Sequence, residues 1–128
     1  MTIRAGFLAV VGCALLAACQ STGSAPPAPT TAETIALSRG LSEAIGRCWF
    51  GEGEEAFTGY AYTPENAGGR PRILLVSHDD PTGRPVLVLQ PLSGSEVEVY
   101  GPLLEAEVGP RIRADIDRWR SGGTACGS

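Results

Sequence analysis

His78-Asp79-Asp80 is the densest cluster of titratable side chains in the chain. An imidazole beside carboxylates is the raw material of general-base hydrolysis or of a metal site. Here the three are consecutive and run into Pro81, Thr82 and Gly83. Adjacent residues on a tight turn rarely converge on one substrate atom, and Asp next to Pro and Gly is turn chemistry. A second acidic run, Glu52, Glu54 and Glu55, is interleaved with glycine but lacks the alternating oxygen ligands of a calcium loop. No GxSxG elbow, phosphate-cradling glycine loop or HExxH helix occurs. The sequence predicts no catalytic residue, no metal ligand set and no cofactor, so the chain reads as non-enzymatic. A small hydrolase centred on His78 is the enzymatic alternative.

Aromatic side chains offer a different chemistry. Tyr60, Tyr62 and Tyr100, with Trp49 and Phe50 nearby, are the candidate interaction surface. Aromatics on an open sheet face bind a partner protein or a glycan by stacking, with a polar tip left for hydrogen bonding. Ordinary core and edge packing is the competing reading of the same residues. The net charge of −4 argues against nucleic acid as the partner, because phosphate neutralisation needs a cationic face. At 128 residues the chain has room for one domain.

The remaining reactive groups are four cysteines, and their fate depends on the N-terminus. Arg4 is followed by the apolar stretch Ala5 to Ala18, 14 residues. As a helix it would span roughly 21 Å. A hydrocarbon core is about 30 Å thick, so the stretch reads as a signal-peptide core rather than a permanent membrane span. It ends in Leu16-Ala17-Ala18-Cys19, which resembles the lipobox of bacterial lipoproteins. That resemblance implies cleavage before Cys19, a thioether-linked diacylglycerol on Cys19, and an acylated amine. Several acyl chains hold a domain on a bilayer far more firmly than one. Gln20 stands where an Asp would favour inner-membrane retention, so the resemblance implies an outer-membrane address with the domain facing the periplasm.

The same processing removes Cys13 and occupies Cys19. Cys48 and Cys126 are then each other's only candidate partners, in a compartment where disulfides persist. Two separate thiols are the alternative. A two-cysteine metal site lacks further ligands, since the only His lies elsewhere.

These readings divide the chain into a signal (1–18), a lipidated cysteine with a Pro-rich linker (19–32), and a small periplasmic domain (33–128). The linker QSTGSAPPAP is too polar and too rich in Pro to bury a core. Thr30 and Glu33 have capping-box spacing ahead of a helix from Ala32 to Trp49. Ile35, Leu37, Leu41, Ala44, Ile45 and Cys48 form its apolar stripe, with Gly40 and Gly46 as weak points. Leu41 to Trp49 (LSEAIGRCW) is similar to the start of the C-terminal domain of Tol–Ton energy-transducing proteins, which implies an envelope interaction module. That family continues with a hairpin, a helix and a last strand, whereas four strand-like segments follow here.

Those segments are 56–63, 72–77, 85–90 and 96–100, with a long loop expected over 64–71. Ile73–Val76 and Val86–Leu89 are apolar on both faces, as central strands are. Glu96, Val97, Glu98, Val99 and Tyr100 alternate, as on a half-exposed edge. A last helical element is expected from Pro102 to Arg120, with Pro110 either kinking it or starting a shorter helix. Arg111–Asp115, Asp115–Arg118 and Asp117–Arg120 are spaced for pairing along it.

The predicted fold class is α+β: a helix, a four-stranded antiparallel meander and a C-terminal helix, both helices on one face of the sheet. The other face is left open, available to an envelope protein or to a second copy of the chain. The sequence thus points to a membrane-anchored envelope lipoprotein that presents a disulfide-stapled domain for protein interaction. A peptidoglycan or other glycan-binding module is the alternative.

Overall fold

The computed structural model describes residues 30–127. The signal, Cys19 and the linker through Pro29 lie outside the described residues. Helix α1 spans Ala32–Cys48, four strands follow as β1 (Tyr60–Ala67), β2 (Arg70–Ser77), β3 (Leu87–Pro91) and β4 (Val97–Tyr100), and α2 spans Gly109–Arg120. The strands form one antiparallel sheet in the order β1-β2-β3-β4, the expected meander.

Helix α1 starts one residue later in its cap than the capping-box spacing implied. Thr31 is the N-cap, and its hydroxyl accepts from the Thr34 amide at 3.2 Å. The Thr34 hydroxyl in turn donates to the Leu92 carbonyl at 2.8 Å, which ties the start of α1 to the end of β3. Leu41, Ala44, Ile45 and Cys48 face inward as the helical period requires.

The largest departure from the sequence reading is in the first hairpin. The stretch 56–59 is turn rather than strand, and the expected loop over 64–71 is strand on both sides of a two-residue turn. Ala67 pairs with Arg70, and Gly68 and Gly69 between them have φ of 60° and 79°. A two-residue hairpin turn of this hand needs positive φ at both positions, which glycine supplies without a Cβ clash. Pro64 is tolerated because β1 is an edge strand. Continuing the β2–β3 register would set Pro71 opposite Pro91, and neither has an N–H to donate. Pairing ends two residues earlier, at Ile73–Leu89.

The C-terminal element is broken where proline and glycine allow it. Pro102–Glu105 is a single 3₁₀ turn, anchored by the Leu103 amide to the Val86 carbonyl at 3.0 Å. Helix α2 then begins at Gly109 with Pro110 in its first turn, the position where a missing N–H costs nothing.

One apolar cluster joins both helices to one sheet face. Leu41 and Ile45 of α1 and Ile112, Ile116 and Trp119 of α2 meet Ile73, Leu75, Leu87 and Leu89. Residues directly paired across antiparallel strands share a face, so the register assigns every strand side chain. Leu75 is in the core and pairs with Tyr62. Leu74 pairs with Thr63 and Val88, and Val88 with Tyr100, so these four form one row across the uncovered face.

Candidate functional site

Three groups of side chains carry the polar and aromatic chemistry of the domain. The first is a charge network inside the junction of the two helices. Asp115 is 0% exposed, and its Oδ2 accepts from the indole N–H of Trp49 at 2.9 Å. Arg118 donates to Oδ1 at 2.6 Å, and Arg111 Nε stands 3.6 Å from Oδ2. Arg111 itself forks onto Glu54, with both nitrogen–oxygen distances 2.8 Å, and lies over the Phe57 ring. The guanidinium hydrogen bonds hold the Glu54 carboxyl below its ordinary value, against an opposing effect of burial. The Arg111 guanidinium is correspondingly pushed further up by Glu54.

The second group is an aromatic chain that joins this network to the sheet. The Trp49 and Phe57 rings stack at 4.7 Å, and Trp119 lies 5.3 Å from Trp49. Phe50 is 6.0 Å from Phe57 and stacks on Tyr62 at 4.9 Å. Both groups face other parts of the domain. Their chemistry is positioning: a satisfied buried carboxylate orients two arginines and an indole.

The third group is the uncovered sheet face. Tyr100 is 44% exposed there, beside Val88, which is only 6% exposed. Leu74 and Val76 are half-buried on the same face, and Glu65 and Arg72 form an ion pair at its side.

The sequence-predicted residues divide accordingly. Cys48 and Cys126 are joined, with Cα atoms 5.2 Å apart, as a disulfide requires. Hydrogen bonds hold the tail that carries Cys126: Trp119 Nε1 donates to the Ala125 carbonyl at 3.0 Å, and Arg47 to the Thr124 carbonyl at 2.8 Å. The three tyrosines do not form one platform. Tyr60 and Tyr62 point to the helix side and pack on the core, and Tyr100 alone lies on the open face. The reason is the pleat: Tyr60 and Tyr62 pair with Ser77 and Leu75, on the opposite face from the row that ends in Tyr100.

His78, Asp79 and Asp80 are exposed at the turn after β2. The Ser77 hydroxyl accepts from the Asp79 amide at 3.2 Å, a bond that shapes the turn. Among the described residues no three His, Cys, Asp or Glu side chains are gathered to hold a metal ion. Of the acidic run, Glu54 is claimed by Arg111, a partner 57 residues away that sequence spacing does not reveal. Asp115 was legible only as a helix-surface ion-pair partner, and its burial against Trp49 was not.

Among the described residues no helix is long and apolar enough to cross a membrane. The fold and these sites define a small α+β domain closed by one disulfide around a buried carboxylate. Set beside known proteins, the chain matches no family model, no curated protein and no solved structure.

Proposed function

We propose that the chain is an envelope lipoprotein, anchored through Cys19, that presents its α+β domain to a protein partner in the periplasm. The Cys48–Cys126 bond is the observation that carries this reading. It is independent of the lipobox-like Leu16-Ala17-Ala18-Cys19, yet both point to the same oxidising, exported location. The contact surface is the uncovered sheet face, where Tyr100 is exposed beside the buried Val88, and half-buried Leu74 and Val76 continue the face on β2. Apolar side chains around a tyrosine with a charged pair at the margin match the anatomy of a protein interface. Gln20 after the acceptor cysteine favours the outer membrane.

The test is cross-linking in intact cells with a photo-reactive residue at Tyr100, and with one at Glu43, exposed on helix α1 across the sheet, as a control. A discrete protein adduct at Tyr100, absent at Glu43, is the expected result. A glycan adduct at Tyr100 would replace the protein partner with cell-wall material. No adduct, with the chain present and membrane-bound, would overturn the assignment of this face.

A further inference from the structure

The two ends of the domain differ in chemistry, and the anchor enters at one of them. Helix α1 starts where the β1–β2 turn and the β3–β4 turn lie, because β1 and β3 both run toward that end. The Thr34–Leu92 hydrogen bond fixes the juxtaposition. Two of the three exposed large apolar side chains of the described residues are there, Ile35 at 47% and Leu92 at 40%. Between α1 and the first hairpin runs a groove of about 350 Å³, lined by Thr30, Ile35, Pro64 and Pro71 with Arg39 at its margin.

Charge separates the ends as well. The segments at the α1 start (30–39, 64–72 and 90–97) carry three Arg and three Glu. The segments at the opposite end (47–60, 77–87 and 100–111) carry three Arg against seven acids. An anionic surface repels the second end and leaves the first indifferent.

We propose that the α1-start end, through Ile35 and Leu92, rests on the surface of the bilayer that holds Cys19. The proposal rests on the lipoprotein reading and adds an orientation to it. The length of the tether argues for a lipid surface as the occupant. Thr30 lines the groove and is 11 residues from Cys19. Eleven residues reach no further than roughly 40 Å even when fully extended, so the domain stays close to that bilayer. Short tethers give effective concentrations in the millimolar range, so a contact too weak to act in free solution is populated. The apolar pair need only enter the headgroup boundary, as interfacial apolar residues do. The acidic end, and with it the turn at His78, is then directed away from the membrane.

The test uses the full chain in the membranes of a bacterial host, with a photo-reactive amino acid at Ile35, at Leu92 or at Asp80. Adducts are read by mass spectrometry, together with the mass of the peptide that begins at Cys19. Lipid adducts at Ile35 and Leu92 several-fold above those at Asp80, with Cys19 acylated, are the expected result. Acylated Cys19 with equal yields at the three sites, or with Asp80 foremost, overturns the orientation and leaves the lipoprotein reading standing. Protein adducts in place of lipid at Ile35 and Leu92 overturn it too. A Cys19 peptide without acyl mass overturns both.

Discussion

The indole N–H of Trp49 donates to Asp115 Oδ2 at 2.9 Å, and neither residue has any exposure to solvent. One helix ends at this bond and the other passes over it, so a single carboxylate registers the two. Arg118 takes the second oxygen and remains partly solvated at the network's edge. A buried charge is tolerable only when its lone pairs are filled in this way.

Removing the carboxylate is therefore expected to destabilise the domain. Asp115→Ala should lose about 1–3 kcal/mol, a sizeable share of a small domain's roughly 5–15 kcal/mol, because the Trp49 N–H is left unpaired in the interior. Asp115→Asn keeps an acceptor for Trp49 and should lose distinctly less. Urea midpoints of the two variants check this, and equal losses would show that Trp49 draws nothing from the carboxylate.

The disulfide can be weighed without disturbing the core. Cys126 is exposed, whereas Cys48 is buried, so Cys126→Ser isolates the cross-link. Closing 78 residues is worth about 4.5 kcal/mol by the chain-entropy model. Cys126→Ser should lower stability by that order, and thiol reagents should label neither cysteine in the unfolded, unreduced chain. Labelling at either position would mean that the pair is not bonded in the protein as made.

Two glycines of α1 should respond to alanine with opposite sign. A Cβ at Gly40 meets nothing within 4 Å, so Gly40→Ala should stabilise by up to about 1 kcal/mol through helix propensity. A Cβ at Gly46 would stand 2.5 Å from the Tyr62 hydroxyl, whose ring is stacked on Phe50. Gly46→Ala should destabilise in spite of the same propensity gain. Thermal midpoints of the two variants decide the point, and a stabilising Gly46→Ala would show that the Tyr62 contact yields freely.

Acid should weaken the Glu54–Arg111 fork in a defined window. The folded carboxyl titrates below its ordinary value of 4.5, chiefly because Arg111 hydrogen bonds to its charged form. Its contribution is complete above that value and is lost as pH falls through the lower, folded one. Stability should accordingly drop on acidification below about pH 4.5, and Glu54→Gln should flatten that limb. If wild type and Glu54→Gln kept the same stability difference from pH 6 to pH 3, the fork would contribute nothing.

Several features were legible because they are local. The three ion pairs of α2 are present at i, i+3 and i, i+4, where helical geometry alone brings side chains together. The element order and the meander follow from apolar periodicity and turn residues, and the bonded Cys48–Cys126 pair is the one expected over two separate thiols, an expectation that rested on the lipobox resemblance. Non-local contact accounts for the rest. Strand alternation places Tyr60 and Tyr62 on one face together, but only tertiary packing makes that the face the helices cover, where Tyr62 comes up against Gly46. Pro64 and Pro71 read as strand breakers until β1 is known to be an edge and Pro71 to lie beyond the reach of β3. The same holds for Asp115, a surface ion-pair residue by spacing. Only the packing of α2 on a tryptophan 66 residues earlier removes it from water, and a period along one helix carries no information about what that helix will lie against.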